Sequence, residues 1–161
     1  VRARLENIVL IGMPGCGKST VARLLGAETG REVVECDAYI EQKAGKTIPD
    51  IFAEGGEQTF RRLETEALRE LGKRSGLILS TGGGCVTRSE NYPLLHQNGT
   101  IFWLLRSPWK LPSEGRPLSQ LESAEAMYAR REPMYRRFTD VKIDNEGAIE
   151  RAVAAIRRYM E

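Results

Sequence analysis

The sequence predicts an α/β protein built on an open, mostly parallel five-stranded sheet with helices on both faces. Two observations lead there. Short apolar, β-branched runs recur along the 161 residues, and segments with helical spacing separate them. The first run, residues 7–11, is closed by Gly12 and reads as a strand buried on both faces. Residues 32–35, 77–80 and 100–105 read as comparable strands, and residues 140–143 as a weaker fifth. Helical spacing covers residues 18–28, 38–44, 57–73, 123–137 and 145–159. In the third of these, Phe60, Leu63, Ala67, Leu68 and Leu71 fall at steps of three and four, which gives one apolar stripe to lay on the sheet. Pro49, Pro93, Pro112, Pro117 and the pairs and triples of glycine at 55–56 and 82–84 punctuate the chain as loops. Ligands of such a sheet bind at the carboxyl ends of its strands.

Composition narrows the function. The length suits one domain over residues 1–161, with one core. No stretch approaches the roughly 20 apolar residues that span a bilayer, so no membrane segment is expected. Twenty-four basic residues against 22 acidic leave a net charge of +2, too little for a broad field that attracts nucleic acid. Cys16, Cys36 and Cys85 are odd in number and lack CxxC spacing, which argues against a disulfide framework or zinc site and for a reducing cytoplasm. Residues 1–7 contain no basic start followed by an apolar run, so no signal peptide is expected. The chain opens on Val1 rather than Met, which reads as a trimmed start or as a domain cut from a longer polypeptide.

The sharpest chemical signal is Gly12-Met13-Pro14-Gly15-Cys16-Gly17-Lys18-Ser19, a full match to G-x-x-x-x-G-K-[ST] lying directly after a strand and before a helix. Glycines let the backbone turn so that successive N–H groups converge on phosphate oxygens, and the following helix adds the positive end of its dipole. Lys18 is placed to reach the β- and γ-phosphates, Ser19 to ligate Mg²⁺ through its hydroxyl, and Thr20 to complete the loop's nucleotide contacts. The rival reading, a glycine-rich turn capping a helix, has no use for Lys and Ser at those places. Such a loop specifies a nucleotide and not a reaction.

Further residues carry a resemblance. The run from Gly12 to Thr20 is followed by Glu35-Cys36-Asp37 with Ile40-Glu41, by residues 48–52, and by Gly56-Glu57 with Phe60-Arg61-Arg62 and Glu64. Then come Gly82-Gly83-Gly84, Arg116-Pro117-Leu118, and Arg131 with Pro133 and Tyr135. In that order and spacing the chain resembles the shikimate kinases. The resemblance implies a P-loop kinase fold, three-layer α/β/α, with strand order 2-3-1-4-5 and a short lid. It also implies phosphorylation of the 3-hydroxyl of shikimate by ATP with Mg²⁺, on the route to chorismate and the aromatic amino acids. A monomer is expected, fused to another enzyme domain if the natural chain is longer.

For the site, the resemblance places Lys18, Asp37 and Arg116 in catalysis, Arg61, Arg131, Asp37 and the 82–84 glycines on the substrate, and Ser19 with Glu35 at the metal. Arg116 also belongs to the nucleotide site. The residues themselves leave alternatives open. Asp37, just past the second strand, either faces a substrate hydroxyl or caps the next helix. Arg61 is either one half of a carboxylate-binding pair with Arg131 or a solvated helix charge. Of Arg130 and Arg131 only one needs to point inward. The three glycines permit close backbone approach to a ligand or form a flexible loop, and Glu35 serves the metal or is a strand-edge carboxylate. Glu64, one turn from Arg61, would hold the guanidinium as an i, i+3 partner.

Two features depart from the family. It usually has aspartate where this chain has Glu35, and the 106–116 segment is shorter than the family lid. The arginine that stacks on adenine has no clear counterpart, and Arg106, Lys110 or Trp109 stands in its region. His96 reads as a surface residue. Cys16, among the N–H groups of the loop, is expected to be sensitive to alkylation. Three other function classes remain for test: a gluconate kinase, a nucleoside monophosphate kinase, and a nucleotide-binding module without transfer. The chain lacks the N-K-x-D motif of a guanine-reading switch.

Overall fold

A computed structural model describes residues 6–108 and 123–161. Its five strands are β1 (Asn7–Ile11), β2 (Glu32–Glu35), β3 (Leu77–Ser80), β4 (Gly99–Leu105) and β5 (Val141–Asp144), all parallel, in the order β2-β3-β1-β4-β5. The six α-helices among the described residues are α1 (Lys18–Thr29), α2 (Cys36–Ala44), α3 (Ile48–Gly72), α4 (Asn91–His96), α5 (Ala124–Phe138) and α6 (Ile149–Met160). The fold class and strand order are those expected.

Every residue of β1 is buried, because β1 is the middle strand and pairs with β3 on one side and β4 on the other. Burial on both faces is why its sequence is a continuous apolar run and not an alternation. Ile8, Leu10, Ile78, Leu79, Ile101 and Phe102 form the centre of one apolar core, to which α1 contributes Val21 and Leu25 and α6 contributes Val153 and Ile156. Ile40, Ile51, Phe60 and Ala67 make a smaller second core where α2 meets α3.

The helices correct the sequence reading in three places. Pro49, Gly55 and Gly56, expected in loops, lie within α3, which starts at Ile48 instead of residue 57. Proline costs nothing in a first turn, where its missing N–H has no intrahelical acceptor, and Thr47 caps the helix by accepting from Asp50 N at 3.3 Å. Gly56, at φ 75° and ψ −176°, provides the kink that joins two helical halves. Pro93 likewise sits inside the short helix α4. At the other end, residues 145–148 are not helical and α6 begins at Ile149, so Asn145 is a loop residue.

Candidate active site

All the strands point their carboxyl ends one way, and the segments leaving β1, β2 and β3 there line a cleft of about 710 Å³ together with α3 and α5. From the phosphate loop, Pro14, Gly15, Gly17, Lys18, Ser19 and Thr20 line it. Gly12, Met13 and Cys16 do not, and the Met13 and Cys16 side chains are buried beneath the loop.

The loop is held from behind. Gly17 has φ 101°, and a Cβ there would stand 2.7 Å from Asn145 Nδ2. Asn145, 1% exposed, donates from that nitrogen to Cys16 O at 2.7 Å. Lys18 is 8% exposed, and its ammonium donates to Gly12 O at 2.7 Å and Met13 O at 3.0 Å, with Cys16 Sγ at 3.7 Å. No acidic residue occupies the first turn of α1 and its cap, Gly17, makes no side-chain hydrogen bond. The N–H groups of that turn and their partial positive charge therefore face the cleft. Burial corrects the expectation for Cys16: at 0% exposure its thiol is shielded from alkylating agents.

Opposite the loop, Glu35 ends β2 and is the cap residue of α2. Its Oε2 accepts from Ser19 Oγ at 3.0 Å. Asp37 lies in the first turn of α2 and is not its cap. Burial by surrounding protein atoms raises the Asp37 pKa, and the nearby charges of Lys18 and Arg61 oppose that rise. The side chain is exposed on the cleft side, and water reaching it there limits the effect.

Arg61 and Arg131 are 8% and 3% exposed, whereas Arg130 faces solvent. Arg61 donates from Nη1 to Glu64 Oε1 at 3.0 Å and from Nε to Glu57 Oε2 at 3.3 Å. Arg131 Nε is buried with no hydrogen-bond partner among the described residues. Two buried guanidiniums in one cleft, one with an unused donor, have the chemistry to bind a carboxylate.

The 82–84 loop joins these halves. A Cβ on Gly82 would lie 2.8 Å from Asp37 Oδ1 and 2.9 Å from Glu64 Oε2; one on Gly83 would lie 2.7 Å from Pro14 Cδ; one on Gly84, 2.2 Å from Arg61 Nη2. Side chains at these positions have no space, so the glycines serve close packing and not flexibility. Sequence reading gave no site role to Glu41, Ile48, Pro49, Phe52, Phe60, Thr81 or Met127, which also line the cleft. Phe52 and Phe60 stack at 5.1 Å between ring centres. The helix periodicity of Phe60 was visible, but its neighbour Phe52 lay across the misread 48–56 half of α3. Arg116, Trp109 and Lys110 lie outside the described residues. His96 is paired with Asp140 at 3.4 Å, away from the cleft.

Comparison with known proteins identifies the family. The family model described as shikimate kinase matches residues 14–161. Shikimate kinase of Acinetobacter baumannii (strain AYE) is 41% identical over 89% of this chain and 86% of its own length. That of Clostridium botulinum (strain Alaska E43 / Type E3) is 35% identical over 96% and 97%. Among solved structures, shikimate kinase from Acinetobacter baumannii in complex with shikimate superposes with a TM-score of 0.85 at 36% identity, covering 97% of this chain and 91% of that one. The Aquifex aeolicus enzyme gives 0.82 at 29% identity, covering 96% and 95%. With the family model matching residues 14–161, a span that takes in Lys18, the 82–84 glycines and both buried arginines, the chain belongs to the shikimate kinase family.

Proposed function

We propose that the chain transfers the γ-phosphoryl group of ATP to the 3-hydroxyl of shikimate, giving shikimate 3-phosphate and ADP. The observation that carries this is one cleft with a phosphate-binding loop on one wall, two buried arginines on the other, and Asp37 between them. Nucleotide phosphates bind the N–H groups of the loop and the Lys18 ammonium, which exchanges its carbonyl contacts for phosphate oxygens. Arg61 and Arg131 take the substrate carboxylate, which selects an acid over a neutral sugar. The 82–84 backbone lies along the ring.

Asp37 accepts a hydrogen bond from the 3-hydroxyl and receives its proton as the new O–P bond forms and the γ-phosphorus parts from the β,γ-bridging oxygen. Positioning does most of the work, because little covalent chemistry is left to the protein. Ser19 and Glu35 fit a Mg²⁺ site, since their two hard oxygens lie within hydrogen-bond distance on the cleft wall. Magnesium favours a few protein oxygens completed by water and phosphate, and when bound it neutralises phosphate charge. We place the enzyme in the cytoplasm, where its three free, buried cysteines stay reduced, and as a monomer, since the described part of the cleft is lined on both walls by one chain.

A coupled ADP-release assay tests the function. Turnover with shikimate is expected. Turnover with gluconate or a nucleoside monophosphate in its place would overturn the substrate assignment.

A further inference from the structure

Tyr135 is fully buried in α5, one helical turn beyond Arg131. Its ring stacks on Trp103 of β4 at 5.7 Å, and its hydroxyl donates to Gly83 O at 2.5 Å, across 52 residues of sequence. Arg131 stands one turn earlier on the same helix, and its charge acts on the same hydroxyl. A phenol has one proton to give, and here Gly83 O accepts it. Arginine has only donors, so a hydrogen bond from Arg131 can run only into the lone pairs of the Tyr135 oxygen. The phenol ties α5, the helix that carries Arg131, to the carbonyl of Gly83.

What hangs on that tie is the shape of the cleft. Gly83 is wedged against Pro14 of the phosphate loop, and its neighbours abut Asp37, Glu64 and Arg61. Burial holds the Tyr135 pKa above its ordinary value, so the donor persists over the working pH range.

We infer that the Tyr135 hydroxyl is a positioning group: tied to the 82–84 loop through Gly83, it accepts a hydrogen bond from Arg131 and so orients that guanidinium toward the carboxylate of the acid substrate. This rests on the assignment of Arg131 to the substrate carboxylate. The consequence is selective: removing the hydroxyl loosens the grip on the acid far more than it slows the chemistry.

Tyr135→Phe keeps the ring and its stack on Trp103 and deletes only the oxygen. Its KM for shikimate should rise about tenfold, with kcat within about threefold of wild type and KM for ATP within about twofold. Arg131→Ala should raise KM for shikimate about a hundredfold, and the double variant should be little worse than Arg131→Ala alone, because both act through one guanidinium. Val153→Ala, a core truncation in α6, should lower the melting temperature without moving either KM, which separates positioning from loss of fold. If Tyr135→Phe fails to fold, Arg131→Lys serves. A lysine cannot engage the phenol and a carboxylate with one planar fork, so its KM should approach that of Arg131→Ala. Multiplying penalties for Tyr135→Phe and Arg131→Ala, or a wild-type KM in Arg131→Lys, would overturn the inference. Wild-type KM in Arg131→Ala would instead refute the carboxylate assignment itself.

Discussion

Glu64 receives an N–H from Arg61 on Oε1 at 3.0 Å, while its other oxygen, Oε2, is buried without a hydrogen-bond partner among the described residues. Burial raises its pKa from 4.5 to about 7, against the opposing charge of Arg61. The carboxyl therefore changes charge near neutrality at the back of the cleft.

The sign of the effect follows. A carboxyl whose folded pKa is raised gives its full stability below the unfolded pKa and loses it as pH rises through the folded one. Wild type should lose on the order of 2 kcal/mol relative to Glu64→Gln between about pH 5 and pH 8, by the usual conversion of pKa shift to free energy. Denaturant melts of both proteins at the two pH values measure it. KM for shikimate should also rise with pH in wild type, because ionised Glu64 competes with the substrate carboxylate for Arg61, and should stay flatter in Glu64→Gln. Parallel pH curves for the two proteins would refute this.

Gly83 and Gly84 separate the two halves of the cleft. Neither adopts a positive φ, so alanine is tolerated by the backbone at both. The added methyl of Gly84→Ala meets Arg61, and that of Gly83→Ala meets Pro14. Gly84→Ala should raise KM for shikimate by more than about tenfold, since Arg61 is pinned by Glu64 and Glu57 and cannot swing aside freely. Gly83→Ala should act mainly on KM for ATP. Steady-state kinetics with each substrate varied in turn distinguishes them, and the opposite pattern would show that the loop does not divide the site in this way.

The contrast between these positions and α3 shows what a sequence can disclose. Strand β1 was legible because its apolar run reflects burial on both faces, and the phosphate loop because its chemistry demands Lys18 and Ser19 at fixed spacing. The first half of α3 was not, because Pro49 and Gly56 are local breakers whose cost vanishes at a helix start and at a kink. Nor could Asn145 be found: its partner Cys16 is 129 residues away, and no local pattern records such a pairing. Arg131 differed from Arg130 only in helical phase, which the structure resolves through burial.

Asp37→Asn probes the reaction more directly. The amide is nearly isosteric and can still meet a hydroxyl, but it does not accept its proton. A loss of about 10² to 10⁴ in kcat is expected, the range for a general base. Binding of ATP should change little, because the phosphate loop holds the nucleotide. Pre-steady-state phosphoryl transfer together with calorimetric ATP binding checks both halves, and equal rates in Asp37→Asn and wild type would remove Asp37 from catalysis.

Asn145 supports the phosphate loop without lining the cleft. In Asn145→Ala, Cys16 O loses its donor inside the protein, a change that costs about 1–3 kcal/mol when water cannot replace the bond. The missing amide also opens space behind Gly17, whose conformation at φ 101° the asparagine supports by packing against it. The loop N–H groups then converge less well on the phosphates, so KM for ATP should rise about tenfold while KM for shikimate holds. Asn145→Asp preserves the shape but replaces the donating amide with an oxygen facing Cys16 O, and it should be at least as severe. If both variants bind ATP like wild type, the loop is rigid through its own backbone and the contact from Asn145 is incidental to nucleotide binding.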